Sequence, residues 1–444
     1  MADRTHRARL TPPAAQLLIA AGAAGVIGLW WADAGAVVGP AGWLTGAGRI
    51  TGLLAGYSCA VLLALMARVP MIDRGVGTDR LARWHAAGGR YTVCLALAHT
   101  LLIILGYSLT THTGIAGQTV SLVLDYPEML KGTAGFLLLL GTGVISARAA
   151  RRRLSYETWH YLHWATYLAV FLAFGHQLAD GADFVGNQKA QLGWYGLYLS
   201  VAALLLWYRF LVPVRRALRH RLRVVQVRPE GPGVVSVYLT GAHLDQLGAQ
   251  PGQFFRWRFL ARGLRWTANP YSLSAPVQDG LLRITVKAAG THSAALARLA
   301  PGTRVWAEGP YGGFTAAAGR GTGKTLLLGG GVGITPLRAL FETLPGEVTL
   351  LYRARRAEDL VLRGELDAIA AARGARVHYA VDEPAAGAHP PVPFTSRALL
   401  RLLPDLPEHE VYLCGPPGMT DAAAKALRGA GVPRRRIHHE SFAF

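Results

Sequence analysis

The sequence predicts a multi-domain protein: a six-helix transmembrane bundle, then an antiparallel β-barrel domain, then an α/β domain with a parallel sheet. Three observations support this fold class. Of the 444 residues, 51% are hydrophobic and only 16% are charged, against about 25% charged residues in an average soluble domain. The first half of the chain gathers its apolar residues in long runs without charge. The second half changes to alternating apolar and polar residues, and then to strands interleaved with helical stretches.

Six charge-free runs carry the membrane prediction. They are residues 14–31, 50–67, 91–109, 132–147, 159–179 and 192–208. Each approaches the ~20 residues that a helix needs to cross a hydrocarbon core of ~30 Å. Arginines precede the first run as they do in a signal peptide, but no small-residue cleavage site clearly follows it, so we expect a membrane helix. The alternative, buried helices of a large soluble protein, is disfavoured by six such runs in succession.

The positive charge of the chain follows its predicted topology. The formal net charge is +20, from 46 basic and 26 acidic residues. Basic residues cluster before the first run and after the second, fourth and sixth runs. The positive-inside rule then predicts a multi-pass protein of the cell membrane with both termini in the cytoplasm. We therefore expect the lipid bilayer, and no nucleic acid, as a partner. The three cysteines form no disulfide framework.

Histidines on the third and fifth predicted helices form a candidate metal site. His85 and His99 are 14 residues apart, so they share a helix face at ~21 Å along the axis. His163 and His176 lie ~20 Å apart but are rotated by ~220°, so helix tilt or a local irregularity must help. Because both helices run outward, the histidines pair at two depths. Each pair could supply both axial ligands of one b-type haem. Hydrogen-bonded histidines or a proton path are the alternative, and His160 is an alternative to His163.

Strand patterns begin near residue 213. The alternating segments are residues 222–227, 234–239, 254–259 and 282–286, separated by glycine and proline turns. From Lys324 onward, strands alternate with helical stretches, which is typical of a parallel sheet with crossovers. The predicted domains are a membrane domain at 1–212, a linker at 213–221, a barrel at 222–318 and an α/β domain at 319–444.

Two short segments resemble the flavin site of the ferredoxin reductase superfamily. They are Asn269-Pro270-Tyr271-Ser272 and Gly290-Thr291-His292-Ser293. In the first motif, the resemblance implies an aromatic ring packed on the isoalloxazine and a hydroxyl bonded to the flavin. The second implies a site for the flavin pyrophosphate, since backbone N–H groups at a helix N-terminus attract phosphate. Many members carry arginine where Asn269 stands, and Arg265 and Lys287 are candidates to supply that charge.

Three further segments resemble a nicotinamide nucleotide site. They supply Gly330, Gly331, Gly333, Thr335 and Pro336 after one strand, Arg353 and Arg355 after the next, and Cys414, Gly415 and Pro416 after a later one. Glycines let the backbone approach a pyrophosphate, and the helix dipole favours its charge. The arginines suit a 2′-phosphate, which favours NADPH over NADH, although solvated surface arginines are the alternative. For Cys414, the alternative is a buried small apolar residue.

The whole chain resembles the ferric reductase and NADPH oxidase superfamily, with a ferric reductase-like transmembrane domain fused to a ferredoxin reductase-type module. The resemblance implies a transmembrane oxidoreductase that uses NAD(P)H, FAD and two b-type haems. The implied external acceptor would be oxygen, giving superoxide, or a ferric chelate. Phe442 is implied to cover the flavin, and with Cys414 it is a candidate catalytic residue. We expect no calcium-binding extension. The alternative is a membrane transport or sensing module with an attached flavin reductase domain, its histidines relaying protons.

Overall fold

The chain folds into two compact units, Met1–Val212 and Pro213–Phe444, which we call the helical unit and the sheet unit. The structure is a computed structural model, and it describes residues 10–33, 37–147, 153–154, 156–319, 321, 323–382 and 395–441. The helical unit contains the apolar runs of the sequence. The sheet unit contains all the strands that follow them.

Helices make up most of the described helical unit. They are α1 (Pro12–Asp33), α2 (Gly39–Leu65), α3 (Pro70–Val76), α4 (Thr78–Thr111), α5 (Ile115–Leu124), α6 (Met129–Ser146), α7 (Tyr156–His163), α8 (Ala165–Asp180) and α9 (Gln188–Leu205). A π-helical turn, Leu206–Leu211, and helix α10 (Val212–His220) continue from α9. Within the described residues, five helical segments are long and apolar enough to cross a membrane. This unit is a multi-pass membrane bundle.

The predicted fifth membrane helix differs from the expectation. The run 159–179 is divided at Trp164 into α7 and α8, which have 8 and 16 residues. The ring of Trp164 packs edge-on against His160 and Tyr161, each at 5.6 Å between centroids. The Tyr167 amide donates to the Trp164 carbonyl at 3.0 Å, a tight turn instead of the regular helical bond. The prediction of six membrane helices is therefore not confirmed at this run, where crowded aromatic side chains favour a break.

Small residues let the helices approach one another. A Cβ on Gly106 of α4 would lie 2.9 Å from the Thr45 amide nitrogen of α2, and a Cβ on Gly135 of α6 would lie 2.7 Å from the Ala169 carbonyl of α8. Such distances exclude any side chain at either glycine. Inside a bilayer the hydrophobic effect does not drive helices together, because the lipid is as apolar as the helix surfaces. Close packing through small residues is therefore a common way for membrane helices to associate. Helices α2 and α4 thus form one close pair, and α6 and α8 form another.

The first part of the sheet unit contains two antiparallel sheets. One has the strand order β1-β2-β5 and the other β4-β3-β6. The strands are β1 (Arg223–Gly231), β2 (Val234–Thr240), β3 (Phe254–Phe259), β4 (Asn269–Ser272), β5 (Leu281–Lys287) and β6 (Val305–Tyr311). Residues 213–319 are all described, and in them only single bridges such as Leu273 to Ile284 link the sheets. The predicted closed barrel is therefore wrong: the two sheets instead enclose an apolar core that includes Phe255 and Trp257.

The second part of the sheet unit is a five-stranded parallel sheet with the order β11-β10-β7-β8-β9. Its strands are β7 (Lys324–Gly330), β8 (Glu347–Ala354), β9 (Arg376–Val381), β10 (Glu410–Gly415) and β11 (Ile437–Ser441). The helices are α11 (Thr291–Ala295), which precedes β6, and α12 (Ile334–Thr343), α13 (Arg363–Arg373), α14 (Ser396–Leu402) and α15 (Pro417–Gly429). The strand order reverses between β7 and β10. Ligands of open α/β sheets bind at the carboxyl ends of the strands at such a reversal.

Candidate functional site

The first histidine pair joins α4 to α7. The ring centroids of His85 and His163 lie 6.0 Å apart, with 72° between the ring planes. His85 Nδ1 donates a hydrogen bond to the carbonyl of Leu62 on α2 at 3.1 Å. Because a carbonyl oxygen only accepts, Nδ1 carries the proton and Nε2 of the neutral ring keeps its lone pair. The backbone of α2 therefore leaves Nε2 of His85 as the nitrogen that can bind a metal.

His163 is held by side chains instead. Its Nδ1 lies 3.3 Å from Ser146 Oγ, which also accepts a hydrogen bond from Trp159 Nε1 at 3.2 Å. The Trp159 ring stacks on His163, with 5.0 Å between the centroids and 25° between the planes. The neighbouring His160 packs against Trp164. Of the two histidines that the sequence left open, His163 is therefore the one whose ring meets His85, and its role as a ligand stays a prediction.

The second pair begins with His99 on α4. Its Nδ1 donates to the carbonyl of Gly48 on α2 at 2.8 Å, so that Nε2 again keeps its lone pair. A Cβ on Gly52 of α2 would lie only 2.5 Å from His99 Nδ1. The ring therefore needs a glycine beside it, and α2 supplies both the space and the acceptor.

His176 on α8 completes this pair. Its imidazole is close enough to that of His99 for the charges of the two rings to interact. Its buried Nδ1 is near the Ala173 carbonyl but makes no hydrogen bond of normal geometry within the described residues. A Cβ on Gly132 of α6 would lie 2.9 Å from the His176 ring. A glycine thus makes room for this histidine as well, and the break at Trp164 supplies the irregularity that the spacing of His163 and His176 requires.

The donor set of these pairs fits haem iron. Two imidazoles that share one iron across bonds of ~2 Å stand about 6 Å apart between ring centroids, and the first pair is separated by 6.0 Å. In three of the four histidines Nδ1 is engaged by a carbonyl or a hydroxyl. An outer hydrogen bond of this kind orients a metal-binding histidine and fixes its tautomer. Within the described residues, no group of three or more His, Cys, Asp or Glu side chains forms another metal site.

The predicted flavin motif forms β4, paired with the buried strand β3. Trp257 Nε1, on β3, donates a hydrogen bond to the carbonyl of Tyr271 at 2.9 Å and so holds β4 in place. Burial raises the pKa of Tyr271 to about 12, although a hydrogen bond from Asn269 opposes the shift. Ser272 is buried, and its Oγ has no hydrogen-bond partner among the described residues. An orphaned hydroxyl is expected where a ligand completes its bonding, so Ser272 fits the proposed flavin contact. Pro270 lies between these residues, half-buried.

The second flavin segment is bonded within itself more than we expected. Ser293 Oγ accepts hydrogen bonds from the amides of Ala289 at 2.8 Å and Gly290 at 3.1 Å. These two donors are thus already engaged. His292 Nδ1 lies 2.8 Å from Thr267 Oγ1, which ties the segment to the loop before β4. Thr291 opens the single turn of α11. The segment is well ordered locally, but fewer amides are open to a phosphate than the sequence suggested.

A cleft of about 610 Å³ lies at the carboxyl edge of the parallel sheet. Its lining comes from the ends of β5, β7, β8 and β9 and from the start of α15. The residues are Lys287, Gly330, Gly331, Arg353, Ala354, Arg355, Arg356, Asp359, Asp382, Pro416, Gly418, Met419 and Ala422. The structure therefore brings together five of the predicted nucleotide residues, namely Gly330, Gly331, Arg353, Arg355 and Pro416.

Other predicted residues support this cleft from behind. A side chain at Gly333 would overlap the Cys414 carbonyl, and one at Gly415 would come within 2.6 Å of Met419 Cε. Thr335 is buried and donates to the Val332 carbonyl at 3.0 Å. Pro336 is buried beside it. These positions allow the glycine turn and the start of α12 to pack closely on β10 and α15.

The two candidate catalytic residues are placed differently. Cys414 has 0% of its surface exposed. Burial raises the pKa of its thiol, and the Glu440 carboxylate on the neighbouring strand raises it further. The thiol is therefore uncharged at neutral pH, as in the buried alternative that the sequence left open. Phe442 lies outside the described residues.

Charged side chains in the cleft include several that sequence reasoning did not single out. Arg353 Nε donates to Asp382 Oδ1 at 2.6 Å. Arg356 pairs with Glu358 at 2.5 Å and with Asp359 at 3.4 Å. Asp382 directly follows β9, just as the arginines follow β8. Its position at the carboxyl end of a strand is the signal that predicts a place in the cleft.

A buried ionic network links the two parts of the sheet unit, and no pattern in the sequence predicts it. Glu365 on α13 accepts from both arms of the Arg283 guanidinium at 2.6 and 2.9 Å, and from Arg338 on α12 at 2.9 Å. Arg283, on β5, is 5% exposed. Burial by itself would raise the pKa of Glu365, but the two arginines hold it below its ordinary value. The network fastens the antiparallel sheet that bears β5 to the helices of the nucleotide cleft.

Comparisons with known proteins match both units. A family model described as the ferric reductase like transmembrane component matches residues 51–174. A model described as the oxidoreductase NAD-binding domain matches residues 327–425. Ferredoxin–NADP reductase B of Sorangium cellulosum is 31% identical over 243 residues, which cover 50% of this chain and 96% of that protein.

Flavohemoproteins are also similar. That of Bordetella pertussis is 33% identical over 244 residues, which cover 50% of this chain. The match spans only 60% of the flavohemoprotein's own length. Among solved structures, the ferredoxin reductase in carbazole 1,9a-dioxygenase is 30% identical with a TM-score of 0.43, covering 50% of this chain and 69% of the other.

Proposed function

Because the chain belongs to the ferric reductase-like transmembrane proteins that carry a ferredoxin reductase-type module, we propose that it is a transmembrane NAD(P)H oxidoreductase. In this proposal, bound FAD and two b-type haems carry electrons from cytoplasmic nucleotide, NADPH being favoured, to an external acceptor. The acceptor is oxygen, which would give superoxide, or a ferric chelate.

One observation carries the proposal: histidines of neighbouring helices are paired, and in three of the four the Nδ1 atom is already engaged by a carbonyl or a hydroxyl. His85 and His99 each donate Nδ1–H to a carbonyl of α2. A histidine of a proton path needs both nitrogens free to exchange protons, whereas a metal ligand needs one nitrogen held and the other free. This arrangement supports haem ligation by His85 with His163 and by His99 with His176, and it weighs against the transport or sensing alternative.

The cleft residues are proposed to bind the nucleotide. The backbone at Gly331, where a Cβ would meet nothing within 4 Å, leaves room for a pyrophosphate to approach the end of β7, whereas the space beside Gly330 is filled by Met419. Arg353 and Arg355 supply positive charge where the adenosine ribose is expected, which favours a 2′-phosphate. Pro416, at the start of α15, faces the same cleft.

The flavin is proposed to lie on β4. Ser272 would complete its hydrogen bonding with the flavin, and the half-buried ring of Tyr271 would pack against it. In the same proposal, residues 1–212 form the haem domain, 213–221 the linker, 222–318 the FAD domain and 319–444 the NAD(P)H domain. Both chain termini would face the cytoplasm, on the side of the basic clusters.

A reduced-minus-oxidised absorption spectrum of the purified chain tests the haem assignment. We expect narrow low-spin b-type bands and about two haems per chain. Broad or absent bands would reject the haems and support the transport or sensing alternative. Oxidation of NADPH and of NADH, with superoxide and ferrous iron measured in parallel, then identifies the nucleotide and the acceptor.

A further inference from the structure

The end of the last membrane helix extends beyond what a bilayer core requires. The helical segment Gln188–His220 has 33 residues. It rises ~50 Å, whereas a hydrocarbon core is ~30 Å thick. Roughly its last 13 residues therefore lie beyond the core, at the level of the lipid headgroups or past it.

This end of the helix is amphipathic. Val214 and Leu218 are 39% and 68% exposed and lie four residues apart, which aligns them on one helix face. Arg215 and Arg219, one turn apart, are exposed beside that stripe. A helix with an apolar stripe and flanking arginines is typical of a segment that lies at the membrane interface.

A groove of about 440 Å³ opens at the end of this helix. Its lining residues are Leu218, Arg219, Arg221, Ala242 and His243, none of which is acidic. Two hydrogen bonds hold its walls together: the Ala242 amide donates to the His220 carbonyl at 2.7 Å, and His220 Nδ1 donates to the Ala242 carbonyl at 3.2 Å. The groove is thus formed by the helix end and by the turn after β2, fastened through His220.

Both walls of the groove contain a residue in a left-handed backbone conformation. Arg221 has φ 45° and His243 has φ 53°. Side chains other than glycine rarely adopt this conformation, and it is retained where the surroundings demand it, often beside a ligand. Here it turns the chain at each side of the groove, so that two guanidinium groups and an imidazole converge on one space.

The arginines retain donors for a ligand. Arg219 is bonded through one nitrogen to Gln246, and Arg221 Nε donates to the Leu218 carbonyl at 3.2 Å. A guanidinium carries five N–H donors, arranged to match a phosphate. Two such groups at headgroup level, beside an apolar stripe that suits acyl chains, form a binding site for a phosphate attached to a lipid.

We propose that this groove binds the headgroup phosphate of an anionic phospholipid. Free phosphate offers the same anionic oxygens but no acyl chains for Val214 and Leu218. A zwitterionic lipid brings a cation close to the two arginines. The site therefore selects a phospholipid with net negative charge over both. It shares no lining residue with the nucleotide cleft.

The test measures lipid affinity of the full-length chain in detergent, with dioctanoyl phosphatidylglycerol as the probe. The double variant Arg219→Gln, Arg221→Gln should bind it about 30-fold more weakly, since each basic residue near an anionic surface contributes roughly fivefold. The double variant Arg397→Gln, Arg428→Gln removes the same charge from exposed positions elsewhere in the sheet unit and should bind as the parent does. The variant with lysine at 219 and 221 should retain most of the affinity.

Any one of five results would overturn the proposal. The first is that dioctanoyl phosphatidylcholine binds as tightly as phosphatidylglycerol, and the second is that the Arg397 and Arg428 control loses as much affinity as the groove variant. The third is that millimolar inorganic phosphate displaces the lipid completely, which would make free phosphate the ligand. The fourth is that the groove variant keeps full affinity with an unchanged thermal midpoint. If the groove variant has a lowered midpoint, the lysine variant replaces it, and its loss of binding at a normal midpoint would be the fifth, since it rejects a charge-based site.

Discussion

In the helical unit, four histidine side chains on facing helices carry the candidate site, whereas in the sheet unit backbone and several charged residues share the cleft. Three of the four have a hydrogen-bond partner of their own: a carbonyl of α2 for His85 and for His99, and Ser146 for His163. The cleft instead gathers residues from the ends of four strands and the start of a helix. The histidine site therefore depends on a few individual side chains, whereas binding in the cleft is shared among many residues.

This difference follows from the surroundings. Within a bilayer, a polar side chain without a partner is costly, so such residues are rare there and tend to be functional. At the edge of a sheet in water, a water molecule can replace a lost hydrogen-bond partner, and each exposed charged group contributes only a small part of the binding energy. We therefore expect substitutions to act in an all-or-none manner at the histidines and gradually in the cleft.

The largest expected effect is at the second histidine pair. His99→Ala should reduce haem from two per chain to about one, because one iron loses a strong axial ligand. Haem titration of the purified variant measures this. His160→Ala is the matched control and should keep both haems, since the His160 ring packs on Trp164. Full haem content in His99→Ala would refute the pairing.

The ionic network of the sheet unit should give the next largest effect. Glu365→Ala leaves Arg283, 6% exposed in its side chain, without its carboxylate partner. We expect the free energy of unfolding of the sheet unit to fall by about 3 kcal/mol, the low end for breaking a buried ion pair, because the Glu365 side chain is 29% exposed. Thermal or denaturant unfolding of the full chain measures it. Glu342→Ala, which removes a partner of Arg338 only, should cost clearly less, and equal losses would contradict the network.

The same network predicts a dependence on pH. The pKa of Glu365 is lowered in the folded chain by Arg283 and Arg338, against the opposing effect of burial. A carboxylate whose folded pKa is depressed adds stability above its unfolded pKa of about 4.3, and this stability is lost as pH falls through the folded value. The stability difference between the parent and Glu365→Gln should therefore be full at neutral pH and vanish in acid. A difference that persists unchanged in acid would show that packing, not charge, is responsible.

A smaller, selective effect is expected in the cleft. Arg355→Ala should raise the KM for NADPH by about tenfold and leave that for NADH nearly unchanged, because one charge-assisted hydrogen bond to a 2′-phosphate is lost. Steady-state rates with both nucleotides measure it. Arg363→Ala is the control, since Arg363 packs on Tyr379 outside the cleft. Equal changes in KM for both nucleotides would show that Arg355 does not bind a 2′-phosphate.

The smallest effect tests the support of a single histidine. Ser146→Ala removes the hydrogen bond to His163 Nδ1 while the stacked Trp159 ring remains. We expect both haems to be retained, with a changed spectrum or potential for one of them, because an outer hydrogen bond tunes ligand basicity. Potentiometric titration with optical detection measures this. Ser108→Ala, a hydroxyl bonded only to a local carbonyl, should leave both haem signals unchanged.

Much of the architecture could be predicted from local patterns. Charge-free runs, alternating strands and the glycine turn at Gly330 and Gly331 each reflect a physical requirement of a few neighbouring residues. The histidines stood out because ionisable residues are rare in apolar runs. These features need no knowledge of distant contacts.

Other features depend on residues far apart in the sequence. Lys287 and Asp382 meet the arginines of the cleft only because β5 and β9 end at the same place. Ser293 engages two amides of its own segment, which the motif alone does not reveal. Contacts among ring side chains around Trp164 interrupt a run whose composition is entirely suited to a membrane helix.

The sequence by itself determined which segments are apolar, which are strands and where rare functional side chains lie, because hydrophobic periodicity and special residues are local properties. The tertiary structure decided which ring nitrogen is free in His85 and His99, whether two sheets close into a barrel, and which charges face the cleft. Those outcomes depend on helix approach and sheet packing, whose energies come from contacts between residues that no local pattern connects.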